Sequence, residues 1–102
     1  MLYRYALFLE KDPSYKLISL KYYQIAAHNG HIKAMASYAR ILYETNPKNL
    51  RGAMLYYKRA ANEGDIESMY KYGSLLVKNG DIKTAAEYLK KASTENIEAE
   101  KL

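Results

Sequence analysis

Two histidines, His28 and His31, flank a glycine and are the side chains of this chain that most readily suggest metal binding. A zinc site needs three or four ligands in a closed or a catalytic geometry. The residues that align with these histidines later in the chain are Asn62 and Asp65, and they complete no such set. We therefore interpret both histidines as loop residues around Gly30, and we expect no metal or other cofactor.

Catalytic chemistry finds little support in the residue types present. The chain has no cysteine, which excludes a thiolate nucleophile, a cysteine-based zinc site and a disulfide scaffold. It also has no glycine-rich phosphate loop, no serine–histidine–aspartate grouping and no paired carboxylates in an apolar context. We therefore expect that the chain is not an enzyme.

The composition describes one small helical domain. The chain has 102 residues, twelve tyrosines and a formal charge of +5, and a length near 100 residues is typical of a single domain. The lysines are spread along the chain without a basic block, so neither nucleic acid nor an anionic membrane is an expected partner. No apolar stretch approaches the roughly 20 residues that cross a bilayer, and the start lacks the pattern of a signal peptide. We expect a cytoplasmic protein.

The chain repeats itself. One ten-residue segment occurs as AAHNGHIKAM at 26–35 and as AANEGDIESM at 60–69, which is an offset of 34 residues. A third copy follows at an offset of 32, where Tyr56 falls on Tyr88. Such periods indicate a repeat architecture. We predict a single repeat domain over 1–102, with repeats near 1–30, 31–64 and 65–96 and the start of a further helix at 97–102.

Each copy has the pattern of two helices. Apolar residues recur at spacings of three and four, which predicts amphipathic helices. Gly30 and Gly64 follow such stretches, where a left-handed cap favours glycine. Asn46 before Pro47, and Asp81, are predicted N-caps. The sequence predicts an all-α chain with helices near 2–10, 15–28, 32–45, 49–62, 66–78 and 82–94.

Small residues predict where the helices come close. Gly73 aligns with Ala39 in the middle of a helix, where glycine costs about 1 kcal/mol relative to alanine. A helix tolerates this when a neighbour must approach closely. Large tyrosine rings are expected to fill the space that remains.

The repeat resembles the Sel-one-like repeat (SLR) family of the tetratricopeptide (TPR)-like superfamily. The resemblance implies an α-α superhelix, a right-handed solenoid of antiparallel helix pairs, that serves as an adaptor or scaffold. The third copy has a shorter loop and looks as much like a plain TPR unit. The residues of the middle copy that carry the resemblance are Ala34, Tyr38-Ala39, Tyr43, Ala53, Tyr56-Tyr57, Ala60-Ala61 and Gly64.

In the family that the chain resembles, the first helix of each pair lines a concave groove. Tyrosine and arginine often anchor interfaces, and such a groove can take a partner helix or peptide. The alternative is that several of these tyrosines simply pack between repeats. The predicted partner-binding residues are Tyr3, Leu7, Arg40, Tyr43, Tyr70, Ser74 and Val77, with Lys33, Glu67 and Lys71 near the edge.

Two other functions remain open. Solenoids need polar caps for solubility, and no polar capping helix is predicted at either end, so the chain could belong to a longer array or self-associate through its ends. An RNA-binding helical repeat is the more remote alternative, because base-reading repeats use fixed side chains at one position whereas Arg40 aligns with Leu7 and Ser74. The apolar residues expected at the first end are Leu2, Tyr3, Tyr5, Leu7 and Phe8.

Overall fold

The computed structural model describes the backbone of residues 2–45 and 49–101 and the side chains of residues 2–44 and 49–94. All regular elements in these ranges are helical, as predicted. The predicted cap at Asn46, before Pro47, lies outside the described residues. The elements are α1 (Leu2–Glu10), a 3₁₀ turn (Pro13–Tyr15), α2 (Lys16–His28), α3 (Ile32–Thr45), α4 (Leu50–Asn62), α5 (Ile66–Lys78) and α6 (Ile82–Lys101).

The last helix is longer than predicted. α6 continues to Lys101 without a break, so the separate helix predicted at 97–102 is wrong for the residues described, which end at 101. The stretch Thr94–Ile97 contains neither glycine nor proline, and nothing there ends the backbone hydrogen-bond pattern. No helix in the described ranges is both long enough and apolar enough to cross a membrane.

Glycine ends three of the helices in the same way. Gly30, Gly64 and Gly80 have φ angles of 93°, 102° and 88°, a region that side chains other than glycine rarely adopt. At the end of α2 the Gly30 N–H donates to the Ala27 carbonyl and the next N–H donates to the Ala26 carbonyl. This is a Schellman motif. The predicted caps at Gly30 and Gly64 are confirmed.

The chain divides into two compact units, Met1–Tyr56 and Tyr57–Leu102. In the first unit, α1 packs against α2 and α2 packs against α3. The Ser19 hydroxyl donates to the Ala6 carbonyl at 2.8 Å, and the rings of Tyr5 and Tyr22 lie 5.0 Å apart. Moving back along α1 therefore corresponds to moving forward along α2, so the two helices are antiparallel.

In the second unit, α5 packs antiparallel against α6. A Cβ atom built on Gly73 would lie 2.7 Å from Cγ of Leu89. The close approach predicted at Gly73 is therefore confirmed. Beside this contact, Met69 and Ala92 are fully buried in one core cluster with Ala61 of α4.

One aromatic pair recurs between the two helices of each repeat. In each pair the rings meet edge to face, an arrangement that aromatic side chains favour. The aligned positions of the three repeats therefore have the same packing role. The pairs are Tyr5–Tyr22 (5.0 Å, 69°), Tyr38–Tyr56 (4.8 Å, 88°) and Tyr72–Tyr88 (4.8 Å, 88°).

Candidate functional site

The second unit presents three of the predicted partner-binding residues in one row. Tyr70, Ser74 and Val77 are spaced by four and three residues, so they lie on one side of α5. Met69 and Leu76 on the other side of this helix are buried. Tyr70 is 38% exposed, Val77 is 44% exposed, and Ser74 is also exposed. The row is a narrow apolar strip with a hydroxyl at its centre.

The ring of Tyr70 is held at one end. Its hydroxyl lies 3.4 Å from Oγ of Ser93 on α6, while the ring itself stays accessible. An ordered aromatic side chain loses less conformational freedom when it binds a partner. The two predicted edge residues of this helix, Glu67 and Lys71, are exposed and add charge of both signs beside the row.

The first unit presents two predicted residues with exposed apolar surface. Leu7 on α1 is 40% exposed and Tyr43 on α3 is 39% exposed. The predicted edge residue Lys33 is exposed at the start of α3. Tyr43 aligns with Val77 at an offset of 34, so this position of the first helix is exposed in the second and third repeats.

Tyr3 has a packing role in the first unit. It is half-buried, and its ring stacks on His31 with a centroid distance of 4.5 Å and an angle of 24°. The centroid of the Tyr23 ring, on α2, lies 5.8 Å from the centroid of the Tyr3 ring. The alternative interpretation of the sequence, in which tyrosines pack between helices, therefore describes Tyr3.

Arg40 is engaged by two carboxylates. Its guanidinium lies 2.8 Å from Glu10 on α1 and 3.2 Å from Glu44 one turn along α3. Burial acts to lower the pKa of Arg40, but the hydrogen bonds and charges of Glu10 and Glu44 raise it overall. The side chain remains 39% exposed. The Arg40 side chain therefore links α3 to α1, and only part of its surface is accessible.

Glu10 and Tyr23 were not among the predicted site residues. Tyr23 is fully buried, and its hydroxyl donates to Oε1 of Glu10 at 2.7 Å. Burial, followed by the hydrogen bond and charge of Glu10, raises the pKa of Tyr23 above its ordinary value. Glu10 aligns with Tyr43 and Val77 in the other repeats. An acid at an otherwise apolar position is the sequence signal that could have indicated this contact.

His31 serves as a helix cap. Its Nδ1 accepts a hydrogen bond from the Ala34 N–H at 3.1 Å, and the aligned Asp65 accepts one from the Ser68 N–H at 3.0 Å. The imidazole nitrogen of His31 and the carboxylate of Asp65 therefore cap the N-termini of α3 and α5 in the same way. Within the part of the chain that the structure describes, no group of three or more histidine or acidic side chains could hold a metal ion.

A surface depression of about 220 Å³ lies in the second unit, away from the predicted residues. Asn62, Glu87, Tyr88 and Lys91 line it. The Tyr88 hydroxyl donates to the Asn62 side chain at 2.9 Å. Asn62, Glu87 and Lys91 are exposed to water, so the depression lacks the desolvated acid or base that catalysis uses.

No protein-family model and no curated protein matches this chain. The resemblance to the Sel-one-like repeats therefore rests on the residues quoted above. The structure adds that the chain is all-α, with adjacent helices packed in pairs and with one tyrosine pair recurring at aligned positions.

Proposed function

We propose that this chain is a non-catalytic protein-interaction module, an adaptor or scaffold of the SLR/TPR-like kind. The outward faces of its first helices would bind a partner helix or an extended peptide. The observation that carries the proposal is the exposed row Tyr70, Ser74 and Val77 on α5. The other side of α5 is packed in the core, so the exposed part of this row is accessible to a partner.

The residue types of the row suit recognition. Tyrosine anchors interfaces because it combines a large apolar ring with a hydroxyl. Val77 adds apolar area about two turns further along, and Ser74 offers a hydrogen-bond donor and acceptor between them. A helix can place its own apolar residues at matching i, i+4 and i+7 positions. In the first unit, Leu7 and Tyr43 offer surface of the same kind.

Arg40 has a different part in this proposal. Because Glu10 and Glu44 hold its guanidinium, it orients α3 against α1 and thereby places Tyr43. Replacing Arg40 would therefore change the first unit even if no partner touched the guanidinium. The second unit gives the cleaner test.

The test is affinity capture from a cell lysate with quantitative mass spectrometry. The variant is Tyr70→Ala combined with Val77→Ser, and the matched control is Ile82→Ser, which removes another exposed apolar side chain of the same unit (59% exposed). We expect the double variant to lose partners that the wild type and the control both retain. Recovery of the same partners by all three proteins would reject the α5 row as the binding surface.

A further inference from the structure

The second helix of the first repeat carries apolar side chains on its outer side. Ile18 is 46% exposed and Ile25 is 37% exposed, and half-buried Tyr22 lies between them. The three residues follow an i, i+4, i+7 spacing, so they form one row along α2. Leu17 beside them is 75% exposed.

The fold does not require apolar residues at these positions. The residues that align with Leu17, Ile18 and Ile25 are mostly basic or small in the other two repeats, and the basic ones are exposed. The apolar character is therefore a property of the first repeat and not a remnant of the repeat pattern. The aligned residues are Arg51, Gly52 and Arg59 in the second repeat and Lys83, Thr84 and Lys91 in the third.

The row on α2 continues onto α1. The Tyr22 ring contacts Tyr5, which is 48% exposed, and Phe8 one turn along α1 is 66% exposed. We call Tyr5, Phe8, Ile18, Tyr22 and Ile25 the α1–α2 outer face. Contiguous exposed apolar surface of this kind marks interaction sites.

The residues that align with Phe8 in the other two repeats indicate what kind of structural element packs against this position. Ile41 is fully buried and Leu75 is only 8% exposed. Within the described residues α3 packs against α2 and α5 packs against α6, so helices contribute to this burial. The position of Phe8 is thus one at which a repeat of this type receives a helix.

Positive charge surrounds the α1–α2 outer face. Arg4, Lys11 and Lys21 are exposed, and the ammonium group of Lys11 lies 6.0 Å from the ring centroid of Phe8. Of the two acids in this region, Glu10 is already paired with Arg40. Asp12 accepts from the Ser14 N–H and keeps its charge, but the three basic groups outnumber it. The basic groups therefore favour acidic residues on whatever binds here.

We propose that the α1–α2 outer face binds an acidic amphipathic helix of another protein. The helix would place apolar residues against Phe8, Ile18 and Ile25 and acidic residues against the surrounding lysines and arginine. A second copy fits less well, because two such faces would bring like charges together. A lipid surface fits less well, because helices cover the aligned positions of Phe8. This interaction goes beyond the proposed function, which uses other residues on α5, α3 and α1.

The experiment selects binders from a displayed library of helical peptides about 18 residues long. Leucines stand at i, i+4 and i+7, and the positions beside them vary among Glu, Lys, Gln and Ala. Binding of the enriched peptides is then measured by fluorescence anisotropy. The test variant combines Ile18→Thr with Ile25→Lys, which places at both positions the residue types that the third repeat has there. The matched control is Leu55→Lys, which adds the same charge at an exposed apolar residue outside the face. Leu55 lies on α4 and is 51% exposed.

We expect selection to enrich glutamate, and the double variant to weaken binding by about tenfold or more. The added lysine can only strengthen attraction to an acidic peptide, so this loss would report the apolar contact. The control should bind like the wild type, and Arg4→Glu with Lys21→Glu should weaken binding separately. Circular dichroism of each variant establishes that it is folded.

Four results would overturn the proposal. In the first, selection enriches no peptide; in the second, it enriches peptides without glutamate. In the third, the enriched peptides bind the double variant as tightly as they bind the control. In the fourth, another element occupies the face. The last would appear as a wild-type dimer in light scattering, or as wild-type sedimentation with phosphatidylserine vesicles, that the double variant loses. None of these outcomes depends on Tyr70 or Val77, so the proposed function is judged separately.

Discussion

Arg40 and Glu10 are thirty residues apart in the chain, and their side chains meet at 2.8 Å. The contact joins α3 to α1, two helices that are not consecutive. Glu10 also accepts a hydrogen bond from buried Tyr23 of α2, so one carboxylate contacts side chains from two other helices. The first three helices of the chain therefore share a polar contact besides their apolar packing.

We predict that this contact contributes measurably to stability. Arg40→Ala and Glu10→Gln should each lower the free energy of unfolding, and a double-mutant cycle should give a coupling near 1 kcal/mol because the pair is partly exposed. Urea denaturation followed by circular dichroism measures both quantities. The coupling should fall at high salt, since screening weakens partly exposed ion pairs. Strictly additive effects would mean that the pair contributes nothing.

The second prediction concerns Gly73. Alanine would gain about 1 kcal/mol of helix propensity, but its Cβ would collide with the branch point of Leu89. We expect Gly73→Ala to destabilise the protein by roughly 1–2 kcal/mol, as overpacked cores do. The control is the same substitution in a Leu89→Ala background, where the collision is absent and alanine should be neutral or stabilising. Equal effects in the two backgrounds would show that Leu89 is not the obstacle.

The third prediction concerns the helix end at Gly64. Its φ of 102° lies in the left-handed region. Apart from the atoms of its chain neighbours, no atom of the described residues lies within 4 Å of the position where a Cβ would stand. Gly64→Ala should therefore cost roughly 1 kcal/mol through backbone strain alone. Gly64→Asn should cost less, because asparagine tolerates this region better. Thermal unfolding of the two variants tests the order, and an alanine variant as stable as the wild type would contradict it.

The fourth prediction concerns alkaline pH. The pKa of Tyr23 is raised in the folded chain, first by burial and then by Glu10, so the unfolded chain loses this proton first. The stability that depends on protonated Tyr23 is complete below about pH 10, the ordinary value for tyrosine, and declines above it. Burial also raises the pKa of Tyr38 and Tyr72, which adds to the same decline.

Urea denaturation between pH 8 and about pH 11 measures this dependence. Tyr23→Phe should be less stable than the wild type at pH 8, because Glu10 loses a hydrogen bond, but its stability should fall less steeply above pH 10. Tyr15→Phe serves as the control, since Tyr15 is 46% exposed. An unchanged slope for Tyr23→Phe would contradict the role given to this hydroxyl.

The positions of the helices were largely predictable from the sequence. Apolar spacing placed five helices within one residue of their observed bounds at each end. Glycine at 30 and 64 located helix ends because the left-handed conformation is a local requirement of the backbone. The small residue at Gly73 likewise indicated a close helix contact. These signals act over one or two helical turns, so a single chain contains all the information they need.

The exposure of the predicted partner-binding residues followed from the sequence only in part. Tyr70, Ser74 and Val77 follow from their phase on α5, and they are exposed as expected. Tyr3 and Arg40 had the same phase, but one stacks on His31 and the other binds Glu10. Which side chains meet across helices depends on the distance and angle at which the helices pack. The position of a residue on its own helix does not determine that distance or angle.

Local sequence therefore determined the helical repeat of this protein, because hydrogen bonding, capping and apolar spacing all act between near neighbours in the chain. Tertiary structure decided which of the aligned residues are exposed to solvent. Phe8, Ile41 and Leu75 hold the same repeat position, yet Phe8 is 66% exposed and the other two are buried. The reason is physical: burial is set by what packs against a residue, and aligned positions of a repeat do not all have the same neighbours.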